Sequence, residues 1–175
     1  MSALDPQAQF EQVVVPHLEA AYNLARWLAG NDHDAEDIAQ EASLRAFRFL
    51  SGFRGGNSRS WLLTIVRNTA YTWLKQNRPA AIVSVAEEQL RELEDHAGAE
   101  HHSTTLHHAD RDVLRAALEQ LPTEFREVLI LRELEGLSYK EISEVADAPI
   151  GTVMSRLARA RKQLQDYLAQ KENRP

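Results

Sequence analysis

Apolar residues recur at helical spacing along nearly the whole chain, and Pro and Gly cut that pattern into short pieces. Phe10, Val13, Val14, Leu18, Ala21, Leu24, Ala25 and Leu28 form the first stripe. It follows Asp5-Pro6, with Asp as N-cap and Pro at the first helical position. Pro16 should kink or split this helix, because it lacks an N–H and its ring clashes with the preceding turn. Gly30-Asn31 ends it. A second helix is predicted from about Asp34 to Leu50, with Asp34, Glu36 and Asp37 loading its first turn against the helix dipole. The loop GFRGGNSRS follows, then a third helix from about Ser60 to Gln76, stopped by Pro79. No alternating strand pattern exceeds a few residues, so the expected class is all-α.

Residues 79–108 change character: Ala, Glu and His dominate and large apolar residues are few. They are read as a flexible acidic linker with some helix near Val85–Asp95. Periodicity returns at Val113, Leu114, Ala117, Leu118 and Leu121. Pro122 then breaks the chain, and Thr123 is placed to cap a helix running to about Glu135. Gly136 suits the left-handed stop of that helix, and Ser138 with Glu141 makes a capping box for the next. The expectation is two small helical domains, 1–78 and 109–175, joined by a linker at 79–108.

The sequence has no Cys, which excludes disulfides and thiolate metal sites and suits a reducing compartment. The first residues, MSALDPQAQFEQ, show no secretory pattern, and the longest apolar runs fall far short of a bilayer span. A cytoplasmic protein without membrane insertion is expected.

Net charge is −6, which by itself argues against a polyanionic partner. The distribution argues otherwise. Residues 1–44 carry one Arg against eight acids, whereas residues 45–78 carry six Arg and one Lys with no acid. Residues 79–108 and 109–149 are each net −5, and residues 150–175 are net +4. Charge within a Debye length governs phosphate binding, so the two basic blocks matter more than the total.

The second basic block lies in GLSYKEISEVADAPIGTVMSRLARARKQL, residues 136–164. Helix Tyr139–Ala146 buries Ile142 and Val145, Asp147-Ala148-Pro149 turns, and a second helix starts at Ile150. At 100° per residue Val153, Leu157, Ala160 and Leu164 share one stripe. Ser155, Ala158, Arg159 and Lys162 lie opposite, flanked by Thr152 and Met154. Short helix, tight turn and Arg-bearing helix is the helix-turn-helix pattern that enters a major groove. Arg159 is placed to read a guanine edge bidentately, and Arg156, Arg161 and Lys162 to meet phosphates. A solvated basic surface helix is the plainer reading of the same charges.

In the first basic block, seven cations interleave with Phe47, Phe49, Phe53, Trp61, Tyr71 and Trp73. Cations track a nucleic-acid backbone and aromatic faces stack unpaired bases, a composition that suits single strands. Trp61, Leu62 and Ile65 are equally ordinary core residues.

Three ordered motifs, DAEDIAQEASLRAF, FRGGNSRSWLLTIVRN and LPTEFREVLILRELEGLSYKEISEVADAPIGTVMSRLARARKQL, closely resemble an extracytoplasmic-function (ECF) sigma factor of bacterial RNA polymerase. The resemblance implies a region-two domain on the polymerase clamp and the promoter −10 element. It implies a region-four domain on the −35 element and the polymerase flap, with the linker threading between. Asp34, Glu36, Asp37, Gln40 and Glu41 match the clamp-binding segment. Gly55–Ser60 matches the loop that captures an unstacked −10 base, and Asn68 the base-contacting Asn, with Arg54, Asn57, Ser58, Arg59, Trp61 and Arg67 around it. Thr152, Met154, Ser155, Arg156, Ala158, Arg159 and Lys162 would face the −35 element. Met154 stands where many members carry a basic base-reading residue, and Asp147 where Gly is frequent in the turn. The partners implied are core RNA polymerase, promoter DNA and an anti-sigma factor of the kind that silences many members. The protein would act as a monomer, with no catalytic residue, metal or other cofactor.

The rival reading is a stand-alone helix-turn-helix repressor, which predicts dimers and symmetric half-sites. A nuclease would need clustered acids for metal, and the dense set from Asp32 to Glu41 sits at a helix start without a basic partner cluster. His96, His101, His102, His107 and His108 are read as an exposed polar tract, with metal or pH sensing as further readings.

Overall fold

The computed structural model describes residues 5–79 and 111–173. The helix expected near Val85–Asp95 and the five histidines from His96 to His108 lie outside the described residues. Helix α1 spans Pro6–Val13, α2 Leu18–Ala29, α3 Asp32–Phe49 and α4 Ser58–Asn77. After the linker come α5 at Arg111–Gln120, α6 at Thr123–Leu129, α7 at Tyr139–Ala146 and α8 at Ile150–Glu172.

The breaks follow from local chemistry. Pro16 splits the first apolar stripe, and Val15–His17 becomes a 3-10 turn between α1 and α2. Gly30 ends α2 in the left-handed region at φ 84°, where a Cβ would be strained. Helix α3 begins two residues earlier than expected because Asn31 caps it, its Oδ1 accepting from the Asp34 N–H at 2.9 Å. Likewise α4 begins at Ser58, with the Asn57 side chain accepting from the Ser60 N–H at 3.0 Å. Thr123 is not the cap expected of it. Pro122 holds the N-cap position, Thr123 is the first helical residue and is buried, and the Pro122 carbonyl accepts from Phe125 and Arg126 N–H, each at 3.0 Å.

Helix α6 does run on towards Glu135, but its last stretch, Ile130–Leu134, widens into a π-helix. The Glu135 N–H reaches back to the Ile130 carbonyl at 3.1 Å, and Gly136 turns the chain away at φ 65°. The extra residue in the turn swings Leu137 inward, where it is fully buried.

Helices α2, α3 and α4 pack against one another. The inner face of α3 is Ala35, Ile38, Ala42 and Ala46, spaced at helical intervals and mostly small, so its neighbours approach closely. Helix α4 supplies Leu62, Leu63, Val66 and Ala70 to the same core. In the C-terminal half, Val153, Leu157, Ala160 and Leu164 form the buried face of α8 as expected, against α6, α7 and α5.

The two halves also pack on each other, α2 against α6 and α4 against α7, and one apolar cluster runs through both. Arg126 fastens this junction. Its guanidinium donates to the carbonyls of Leu118 at 2.9 Å, Leu121 at 3.1 Å and Glu119 at 3.3 Å, at the end of α5. It also donates to Trp27 at 3.0 Å, in the last turn of α2. One cation thus satisfies carbonyls at two helix C-termini, where the dipoles favour positive charge.

Full burial of a Leu side chain stabilises by roughly 1.5–3 kcal/mol, and truncation adds a cavity cost. Leu63→Ala is therefore expected to lower unfolding stability by about 2–5 kcal/mol, read from the urea midpoint with unchanged slope.

Candidate nucleic-acid interface

Helix α7 starts with the predicted capping box. The Ser138 Oγ accepts from the Glu141 N–H at 3.1 Å, and the Ser138 N–H donates to Glu141 Oε2 at 2.7 Å. The bond from the Ser138 backbone N–H to the carboxylate is the main cause that holds the Glu141 pKa below its usual value. The turn survives without Gly because Asp147 adopts φ 50°, a left-handed geometry that Asp tolerates. The Ala148 N–H returns to the Ser143 carbonyl at 3.1 Å, and the Ser143 hydroxyl donates to the Ala148 carbonyl at 2.5 Å.

Helix α8 then presents Met154, Ser155, Ala158 and Lys162 to solvent, with Thr152, Arg156 and Arg159 half-buried. Ser155 donates its hydroxyl to the Thr152 carbonyl at 3.0 Å. Two of the predicted phosphate-binding cations are braced from within: Arg156 by Glu124 at 3.4 Å and Arg161 by Glu133 at 2.8 Å. Such pairs hold the guanidinium groups near the helix rather than extended.

In the N-terminal half, Gly55 at φ 88° and Gly56 at φ 92° shape the loop that leads into α4. Helical spacing places Asn57, Trp61 and Asn68 along one line of α4, with Asn68 exposed. Trp61 is half-buried against Phe53, ring centroids 5.1 Å apart, so it is both core and accessible. A cleft of about 350 Å³ opens here, lined by Phe53, Arg54, Asn57, Trp61, Thr64 and, from α7, Glu144. Ser58 lies to one side, its hydroxyl 2.9 Å from His17 Nε2. Burial, and then the Arg59 charge, lower the His17 pKa.

Arg67 faces the other half of the molecule. Its Nε donates to Glu127 Oε1 at 2.6 Å, and its guanidinium lies 4.2 Å from the Tyr71 ring centroid. Tyr71 donates its hydroxyl to Glu127 Oε2 at 3.0 Å. Glu127 is completely buried. Burial pushes its pKa up against the opposing pull of Arg67 and Tyr71, and pushes Tyr71 well up too. Burial also works against the Arg67 charge, but Glu127 and Tyr71 outweigh it and raise its pKa. Glu127 and Tyr71 were not legible as a unit in sequence, since they stand 56 residues apart; a charged residue inside the apolar run FREVLILREL was the available signal.

The acidic face of α3 exposes Glu36, Asp37 and Gln40, while Asp34 and Glu41 are half-buried. Asp34 is engaged by Asn31 Nδ2 at 2.7 Å and by Arg78 at 3.1 Å, and Glu41 by Arg45 at 2.9 Å. His33, Asp34 and Asp37 bring donor atoms within 4.8 Å of one another, but these partners already occupy Asp34. Among the described residues, no helix is long and apolar enough to cross a membrane.

Residues 13–79 match the family model for sigma-70 region 2, and residues 111–164 that for sigma-70 region 4. The ECF RNA polymerase sigma-E factor of Escherichia coli is 38% identical over 137 residues, covering 74% of this chain and 71% of its own. The chain belongs to the ECF sigma factors. The ECF RNA polymerase sigma factor SigE of Mycolicibacterium smegmatis is 37% identical over 162 residues, 91% of this chain; the match spans 62% of the length of that relative. Among solved structures, the sigma factor RpoE in complex with the anti-sigma factor NepR from Bartonella quintana superposes with TM-score 0.67 at 29% identity, over 94% of this chain and 98% of its own. CnrH in complex with the cytosolic domain of CnrY gives TM-score 0.64 at 25% identity, over 95% and 90%. Matches to both regions in one chain turn against the stand-alone repressor.

Because Asn57 is both a helix cap and a candidate DNA contact, the two roles separate by substitution. Asn57→Ala should cost about 1 kcal/mol of stability, while Asn57→Ser keeps a capping oxygen and should stay within about 0.5 kcal/mol, as thermal unfolding would show.

Proposed function

We propose that this sigma factor directs promoter-specific transcription initiation with the residues described above, and that it chemically transforms nothing itself. Residues 1–78 form the region-two domain, 79–108 the linker and 109–175 the region-four domain. Asp34, Glu36, Asp37, Gln40 and Glu41 on α3 meet the polymerase clamp, an acidic face suited to a basic partner helix. Arg54, Asn57, Ser58, Arg59, Trp61, Arg67 and Asn68 take the −10 element. The Asn68 amide offers a donor and an acceptor to a base edge, and the Phe53–Trp61 cleft has the size and aromatic wall to receive an unstacked base. Capturing such a base favours the open strand, so binding energy drives melting without ATP.

Thr152, Met154, Ser155, Arg156, Ala158, Arg159 and Lys162 take the −35 major groove. The observation that supports this best is the clean division of α8 into a buried apolar stripe and an outer face of small side chains with cations. Small residues at the start of a helix let its backbone come close to DNA. Met154, 46% exposed, suits a thymine methyl better than a hydrogen-bonding edge. The relatives seen with NepR and CnrY support an anti-sigma factor as a partner here as well.

The test is transcription on fragmented genomic DNA with purified core polymerase, with and without this protein, mapping RNA 5′ ends. New starts sharing two upstream boxes are expected, and Asn68→Ala should lose them while still co-purifying with core. Absence of core binding would overturn the proposal. In filter binding by the holoenzyme, Lys162→Ala should weaken promoter affinity across sequences and reduce the logarithmic salt slope by about 1.

A further inference from the structure

The outer face of α8 is split lengthwise. At about 100° per residue, Ile150, Met154 and Ala158 fall along one edge at intervals of one turn, while Thr152 and Arg159 fall along the other. Ser155 and Lys162 lie between the edges. Ile150 is 45% exposed and Met154 46%, and Ala158 is exposed beside them. The core stripe of α8, Val153, Leu157, Ala160 and Leu164, uses none of the three. Arg161 shares their edge by angle, but its guanidinium is drawn to Glu133 at 2.8 Å. The Ser155 hydroxyl donates to the Thr152 carbonyl at 3.0 Å and so points along the helix. The edge therefore presents carbon and sulfur surface, with its neighbouring donors turned elsewhere.

We infer that this edge is a thymine reader: Ile150 and Met154 pack against the C5 methyl groups of adjacent thymines in the −35 element, and Ala158 borders the base pair after them. The inference rests on the −35 assignment of α8 made above and adds Ile150 to it. In the major groove the thymine methyl is the apolar group that a base pair offers. Side chains three or four residues apart on a groove helix reach successive bases, so the one-turn spacing selects neighbouring thymines rather than scattered ones. DNA is the occupant because the edge is continuous with the exposed Lys162 and lies across the helix from Arg159, and those cations draw a phosphate backbone along the same face. Specificity is then divided between two chemistries, hydrogen bonds from the Arg159 edge and methyl burial on the Ile150–Met154 edge.

Holoenzyme assembled from purified core polymerase and the full chain is used to select bound sequences from a pool of random duplexes. The upstream box should contain adjacent thymines. Each thymine of the selected box is then replaced singly by deoxyuridine, which removes the methyl group and keeps every hydrogen-bonding atom. At two adjacent positions this should weaken holoenzyme binding about fourfold, the factor that corresponds to one buried methyl group. Met154→Ala should erase the loss at one of these positions and Ile150→Ala at its neighbour. Met154→Leu, apolar and of similar volume, should keep it. Both residues are exposed, so helical circular dichroism and core binding should not change. Arg159→Ala should weaken binding to the thymine and deoxyuridine duplexes alike.

Deoxyuridine without effect throughout the box, or the same loss in Met154→Ala as in the unsubstituted protein, would overturn the thymine reader. Weaker binding of Ile150→Ala and Met154→Ala to core polymerase would overturn it too, by showing that the edge docks a protein. Failure of the −35 assignment itself would show differently, as no upstream box in the selection and no effect of Arg159→Ala, and would take the thymine reader with it.

Discussion

A single carboxylate, that of Glu127, sets the terms on which the two halves of this molecule coexist. A fully buried charge is costly unless paired and hydrogen-bonded. Here both oxygens are used, one by the Arg67 guanidinium and the other by the Tyr71 hydroxyl. Both partners come from α4, while Glu127 belongs to α6, so neither half satisfies this group alone. The apolar contacts around it are not directional and would tolerate sliding. The ion pair with its phenol does not, and it fixes which turn of α4 faces which turn of α6.

Arg126, the neighbour of Glu127, applies the same logic with the opposite sign. Among the described residues it has no carboxylate at hydrogen-bonding distance, and it spends its donors on four backbone carbonyls, three from the end of α5 and its loop and one from α2. Adjacent residues on a helix point about 100° apart, which lets one side chain reach α2 and α5 while the next reaches α4. Burial lowers the Arg126 pKa, yet the carbonyls supply the hydrogen bonds that the lost water had given. Two successive charged residues inside an apolar run thus organise the junction, one through helix ends and one through a buried pair.

Breaking a buried ion pair by removing one partner is expensive, but exchanging it for contacts elsewhere need not be. The cations along α4 have two sets of acceptors available to them: oxygens of the C-terminal half in this structure, and phosphates in the proposed complex. The packing of α4 on α7 and its bonds to Glu127 of α6 supply the first set, and the second belongs to the −10 contact proposed above.

Much of this was readable in the chain before any fold was known. The division at Pro16, the stops at Gly30 and Gly136, the capping box at Ser138 and Glu141, and the stripe Val153–Leu157–Ala160–Leu164 are all local consequences of backbone stereochemistry and helical period. Where sequence reasoning erred, it did so between similar candidates a few residues apart. Asn31 caps α3 and starts it two residues before the expected Asp34, and Pro122 rather than Thr123 precedes α6, because cap choice depends on the path by which the chain enters the helix. The contacts between halves were out of reach. Arg67 meets Glu127 across 60 residues, Arg59 meets Glu135 across 76 and Asn57 meets Glu141 across 84. Periodicity tells which face of a helix is buried, but not which distant helix covers it. For that the tertiary structure alone decides, since the pairing of charges depends on three-dimensional closure of the chain and leaves no trace in local spacing.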